Sequence, residues 1–174
     1  TSSCASVRNR RSRQAMSALA TDVTLRSVWL DDASNVADVL IDSRRAYQPF
    51  APSAHPPDDV RAWVRRHLIP ECNVTVADAG GTIVGVIATS KRGGAAWIEQ
   101  LFVLPGWTGR GIGTRLLGQA HGELPRPIRL WTFQANVGAR RFYERHGYRA
   151  IELTDGRENE EKCPDVMYEL VASE

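Results

Sequence analysis

The stretch that most constrains this chain is residues 97–148. It opens on a nearly uninterrupted apolar run, residues 97–104, that carries a single carboxylate, Glu99. Pro105-Gly106 ends the run, which suits a strand buried on both faces. Thr108-Gly109-Arg110-Gly111-Ile112-Gly113-Thr114 follows at once, then Arg115-Leu116-Leu117. Strand, glycine-rich turn and helix start, in that order, make a place for a phosphate. Glycines let the backbone approach an anion, successive N–H groups converge on it, and the helix dipole adds partial positive charge. The cluster is neither the dinucleotide fingerprint nor a Walker loop, since no Gly-Lys-Ser/Thr follows.

A second segment sharpens the reading. Residues 128–133 are a short strand candidate, and Asn136 after them is a good helix N-cap, with Gly147 placed to end the helix. Ala139 and Tyr143 are four residues apart and share a face, with Asn136 two turns before Tyr143 on that side. This helix carries an amide and a phenol towards whatever the glycine loop holds.

On these residues the chain resembles the GNAT family of acyl-CoA-dependent N-acetyltransferases. Residues 108–113 fill that family's pyrophosphate motif, Gln/Arg-x-x-Gly-x-Gly/Ala, with Thr108 standing where Gln or Arg is usual. That departure removes a long donor and leaves the backbone cradle. The later motif, Asn-x-x-Ala-x-x-Phe-Tyr, is matched by Asn136, Ala139, Phe142 and Tyr143. The order of elements extends the resemblance over residues 23–171.

The rest of the chain fits that reading. A chain of 174 residues with 43% hydrophobic content suits one domain with a proper core, and a net charge of +2 gives no argument for a nucleic-acid partner. Cys4, Cys72 and Cys163 are scattered, which favours a reducing compartment, the cytoplasm, and no structural metal. No apolar run approaches membrane-spanning length. Residues 1–20 hold Arg8, Arg10, Arg11 and Arg13 and no acid. They are expected to form a flexible basic extension, with a nucleic-acid arm or a transit peptide as the sharper readings. Residues 21–174 are expected to be the acetyltransferase domain.

Residues 23–28 alternate as a first strand, and Asp31-Asp32 caps a helix reaching about Arg45. A proline-punctuated loop, residues 47–57, leads into a helix over 58–68 with Val60, Trp63, Val64, His67 and Leu68 at helical spacing. On that stripe His67 reads as structural. Residues 73–77 and 82–89 are strands joined by a hairpin, and Lys91-Arg92-Gly93-Gly94 turns into the strand of Glu99. Residues 149–153 and 166–171 are the closing strands. Strands first, then an alternating strand and helix half, give an α+β class. The resemblance implies a GNAT-type single domain: a mixed, largely antiparallel twisted sheet flanked by helices.

The resemblance also assigns roles. Acetyl-CoA is the co-substrate, and Tyr143 is the general acid towards the coenzyme sulfur, against the plainer reading of an aromatic packed beside Phe142. Glu99 is the candidate base, through ordered water, or else one half of a salt bridge at the strand start, to Arg129 for example. The backbone of Leu101 and Val103 pairs with the pantetheine arm as an added strand. The amides of Gly109, Arg110, Gly111, Ile112, Gly113 and Thr114 cradle the pyrophosphate. Asn136 bonds the arm, and Ala139 and Phe142 form its apolar wall. A backbone N–H around Phe102, Val103 or Leu104 holds the thioester carbonyl. Tyr47, Phe50 and His55 fall in the region that walls the acceptor, where His55 is either a proton acceptor or an ordinary surface residue. Asp155, Glu158, Glu160, Glu161 and Asp165 in one late loop would attract a cationic amine. The expected acceptor is a small amine, an amino acid or an amine-bearing antibiotic. A protein or peptide amine, or a non-catalytic acyl-CoA-binding module, is the alternative. A homodimer is left open.

Overall fold

The computed structural model describes residues 22–51 and 53–172, so the basic segment 1–20 lies outside the described residues. Its strands are β1 (Val23–Ser27), β2 (Asn73–Ala79), β3 (Thr82–Arg92), β4 (Ala95–Val103), β5 (Ile128–Phe133), β6 (Arg149–Leu153) and β7 (Asp165–Leu170). They form one sheet in the order β1-β2-β3-β4-β5-β7-β6. Every neighbouring pair is antiparallel except β4 and β5. The expected α+β architecture is therefore present, as a seven-stranded mixed sheet.

Helices cover both faces. α1 (Ala33–Tyr47) follows a 3₁₀ turn (Leu30–Asp32), and buries Val36, Val39 and Leu40. α2 runs from Pro57–Trp63 through a π turn, Val64–Leu68, into Ile69–Glu71. α1 and α2 share a core with Val74, Val76, Val86 and Ala88 on one face of the sheet. On the other face, α3 (Ile112–Glu123) and α4 (Val137–Arg145) pack Ile112, Leu116, Leu117 and Tyr143 against Ile87, Ile98 and Leu130. Among the described residues, no helix is long and apolar enough to cross a membrane.

Two expectations are corrected. His67 is exposed and bonds Glu71 at 2.8 Å, and Trp63 is 40% exposed, so neither joins the core. Val64 and Leu68 are the buried residues of this segment, and the wider π turn that spans them changes the helical period around His67, while Trp63 lies before it. Residues 97–104 are not buried on both faces. Ala96 and Ile98 are, but residues 99–104 are half-buried, because β4 loses its neighbour there.

That loss is the feature that makes the site. β4 and β5 pair only through Ala96↔Ile128, Trp97↔Arg129 and Ile98↔Leu130, and then diverge. A β-bulge sits at the same level. Thr89 faces Ile98 and Ala88 faces Gln100, which leaves Glu99 as the extra residue of β4.

The start of α1 is held by a buried ion cluster. The Arg26 guanidinium donates to Asp32 at 2.7 and 3.2 Å and to Asp78 at 2.9 Å, and the Trp29 N–H donates to Asp32 at 2.8 Å. The hydrogen bonds from Arg26 hold the Asp32 carboxyl below its ordinary 3.8, against the opposing effect of burial. Asp32→Asn keeps the size and loses the charge, and is expected to cost about 2 kcal/mol at pH 7. A depressed folded pKa contributes stability that is complete above the ordinary value and fades as pH falls through the lower folded one. Urea titrations should therefore show the gap between wild type and variant closing towards about pH 2. An equal gap at both pH values would show that the charge is not what matters.

Candidate active site

Between the diverging ends of β4 and β5 lies a cleft of about 1510 Å³. Its floor is the β4 edge. The Leu104 N–H donates to the Val84 carbonyl at 2.9 Å, so strand alternation turns the peptide groups of Leu101 and Val103 away from β3, towards the opening. The Val103 carbonyl accepts from Ser43 Oγ at 3.1 Å, which leaves its N–H available. Of the three amides expected near the thioester carbonyl, Leu104 is therefore already engaged. Alternation turns Phe102 towards β3 as well, and Val103 is the one that faces the cleft.

The glycine-rich turn closes one end. Gly109 and Gly111 have φ of +74° and +77°, and Gly111 is the left-handed N-cap of α3. The first intrahelical bond is Arg115 N–H to the Gly111 carbonyl. Among the described residues, the N–H groups of 109–114 have no protein acceptor, as a helix start without a side-chain cap requires. Gly109, Gly111, Ile112, Gly113 and Thr114 line the cleft. The Arg110 side chain instead lies over the Trp107 ring, 4.8 Å from its centroid, so only its backbone belongs to the cradle.

α4 supplies the opposite wall. The Asn136 Oδ1 accepts the Ala139 N–H at 3.1 Å, so the cap takes the oxygen and leaves the amide NH₂ as donor. Ala139, Phe142 and Tyr143 line the cleft as expected. Tyr143 is 7% exposed, and its ring meets those of Phe142, Tyr148 and Tyr168 at 5.3, 5.5 and 6.4 Å. Among the described residues its hydroxyl has no hydrogen-bond partner, and burial pushes its pKa well above the usual 10.0. Arg140 is turned to Tyr168 and the Gln134 carbonyl, while Arg145 lines the cleft.

Glu99 reaches the cleft from the bulge. Its Oε1 accepts from both Ser90 Oγ and the Arg92 guanidinium, and Arg92 also lies over Trp97. The second oxygen, Oε2, has no partner among the described residues. Arg129 is not its partner but pairs with Glu169 at 2.6 Å.

The far end is formed by α1, the loop after it and residues 154–165. Tyr47 and Phe50 line it, with Tyr47 Oη 3.4 Å from Thr108 Oγ1 and Phe50 edge-on to Phe133 at 6.0 Å. His55 is not in this cleft; it pairs with Glu160 at 3.0 Å to one side. Asp155, Glu158, Glu161 and Asp165 join Glu99 and Glu152 on the lining, against Arg44 and Arg145. Arg44, Gln48 and Gln100 escaped sequence reasoning. Each needs a tertiary contact or the bulge to reach the site, and no local pattern announces either.

The comparisons agree with this fold. The model of the acetyltransferase (GNAT) family matches residues 38–148, and the chain belongs to that family. An uncharacterized N-acetyltransferase of Archaeoglobus fulgidus is 31% identical over 140 residues, covering 74% of this chain and 94% of the relative. One of Methanocaldococcus jannaschii is 28% identical over 148 residues, 76% of this chain. The chain spans only 63% of that relative's length. The crystal structure of a PaiA N-acetyltransferase from Thermoplasma acidophilum, in complex with coenzyme A, superposes with a TM-score of 0.70. It is 20% identical, with 87% of this chain and 99% of that chain covered, and so shows the likeness of fold.

The two loop glycines should fail for different reasons. A Cβ on Gly111 meets nothing within 4 Å, but its positive φ strains any L residue by about 1–3 kcal/mol. A Cβ on Gly113 sits 3.4 Å from the Phe142 ring, so a branched side chain displaces that wall. Gly111→Val and Gly113→Val are each expected to weaken coenzyme A binding by about tenfold or more in calorimetry. Unchanged affinity in both would remove the loop from the site.

Proposed function

We propose that this protein is an N-acetyltransferase that moves the acetyl group of acetyl-CoA to a primary amine by direct attack within a ternary complex. The observation that carries the reading is the Tyr143 phenol: buried, neutral and without a protein partner, at the cleft wall opposite an unpaired strand edge. The residues present fit the coenzyme. Residues 109–114 offer free N–H groups for its pyrophosphate, Leu101 and Val103 offer a strand edge, and Asn136 offers an NH₂ donor. Acetyl-CoA supplies the acetyl group as a thioester.

The chain's own groups then have distinct tasks. The Val103 N–H donates to the carbonyl oxygen as charge builds there, a contact worth about 3 kcal/mol in other enzymes. Glu99, through Oε2 and an ordered water, accepts a proton from the amine as the C–N bond forms. Tyr143 gives its proton to the sulfur as the C–S bond breaks, and recovers one from solvent. Ser90 and Arg92 fix the Glu99 carboxylate by its other oxygen. The carboxylates on the acceptor side raise the local concentration of a cationic amine, which favours a small amine, an amino acid or an amine-bearing antibiotic. The free thiols of Cys72 and Cys163 suit a cytoplasmic location.

Glu99→Gln is expected to lower kcat by about 100-fold or more and to remove the acidic limb of the pH–rate profile, with coenzyme affinity retained. A variant that loses thermal stability yet keeps its rate per folded molecule would leave Glu99 as the Arg92 ion-pair partner alone.

Tyr143→Phe deletes the donor and keeps the ring, so fold and coenzyme binding should survive. Acetyl transfer should fall roughly 10²- to 10⁴-fold, in kcat more than in KM, because the thiolate develops only during bond cleavage. Because burial raises the Tyr143 pKa, the protonated acid persists to higher pH, and wild-type kcat should show no alkaline limb from it below about pH 10. Full activity in the variant would end the assignment.

A further inference from the structure

A second cavity, about 850 Å³, opens off the acceptor side of the cleft. That size lies within the ~300–1,000 Å³ range of small-molecule sites. Leu40 and Ile41 of α1 and Val60 and Trp63 of α2 form an apolar wall. Arg44, Gln48, Gln100 and Glu161 line both cavities and so form the neck between them.

Three observations say what would fill it. First, the neck is polar and under-used. Gln48 and Gln100 have side-chain amides without partners among the described residues, and Glu161 gives only Oε1 to Arg44. Gln100 is there because of the bulge. With Glu99 inserted, Gln100 faces Ala88 on the α1 and α2 side of the sheet, while Ile98 and Leu101 stay with Thr89 and Ile87 on the other. Second, the wall displays an indole. Helical spacing would bury Trp63, yet it stays 40% exposed immediately before the π turn. Third, the loop after α1 is tied to the loop before β7 beside the chamber: His55 Nε2 lies 3.0 Å from Glu160, both on the chamber lining, and the Cys163 thiol donates to the Phe50 carbonyl at 3.4 Å.

Building on the transfer reading above, we propose that the acceptor is a small primary amine carried on a short arm from an aromatic body. The ring lies in the second cavity against Trp63, where stacking and burial favour a flat apolar group. The nitrogen passes the neck, donating to the amide oxygens of Gln48 and Gln100 and to Glu161, and meets the thioester in the cleft. A chamber of about 850 Å³ beyond a narrow neck favours a small molecule over a peptide, which needs an open groove for its chain.

The experiment compares n-propylamine, 2-phenylethylamine, tryptamine and a tripeptide with N-terminal Phe at saturating acetyl-CoA. The two aromatic amines are expected to exceed n-propylamine in kcat/KM by about tenfold or more. Trp63→Ala should bring that ratio to within about threefold. If Trp63→Ala does not fold, judged by coenzyme A affinity, Val60→Trp fills the chamber and should flatten the ratio in the same way. Equal rates for propyl and aromatic amines, or a preference for the peptide, would overturn the proposal while leaving acetyl transfer intact. Equilibrium dialysis of 2-phenylethylamine tests the chamber without turnover. Binding to the wild type that is lost in the variants supports the chamber, and absence of binding overturns it. Absence of coenzyme A binding by the wild type would instead overturn the transfer reading.

Discussion

The structure depends on the parting of β4 from β5 after Ile98 and Leu130. A strand edge left open inside a sheet presents peptide groups that must find partners elsewhere. Here β3 satisfies one side of β4 to Val103, and beyond Ile98 the other side has no neighbouring strand. The same divergence sets the two helices. α3 starts just past the end of β4 and α4 just past the end of β5, so both helix N-termini flank the gap. The free N–H groups of one and the Asn136 and Tyr143 face of the other therefore meet across one cleft.

The bulge at Glu99 shapes the head of the cleft that the parting opens. One extra residue in β4 places Glu99 and Gln100 at the head of the gap, while Ile98 and Leu101 keep packing into the core beneath α3. A regular strand would oblige two consecutive residues to point to opposite faces. Ser90 and Arg92 then compensate the carboxylate of Glu99, without which a half-buried charge in an apolar strand would be costly.

What was legible in the sequence follows from how local each feature is. The fold class, β5 at residues 128–133, the Asn136 cap and the glycine turn before α3 rest on neighbours within a few residues, and all are in the structure. The ion-pair partner of Glu99 is not local in this sense: Arg129, the example the sequence offers, is claimed by Glu169 on β7, and Arg92 pairs with Glu99 instead. The burial of residues 99–104 was overestimated, since an apolar run cannot announce that its neighbour will leave. The exposure of Trp63, which precedes the π turn, has no local signal, and that of His67 has a third cause. A single π turn changes the helical period, and no residue type demands one.

Three tyrosines packed together show how the fold singles out one of them. The Tyr148 hydroxyl lies 3.0 Å from His121 Nε2. The Tyr168 hydroxyl donates to Glu144 at 2.6 Å and accepts from Arg140 at 3.2 Å. Tyr143 stacks between them, yet its hydroxyl alone faces the cleft without a partner among the described residues. That hydroxyl is not one of the fully buried atoms without a partner, so it stays accessible to a group in the cleft. Its two neighbours spend their hydrogen bonds on packing α4 against α3 and β7, which fixes the ring of Tyr143 from both sides. The ring of Tyr143 is thus held by core packing, and its hydroxyl has no partner among the described residues.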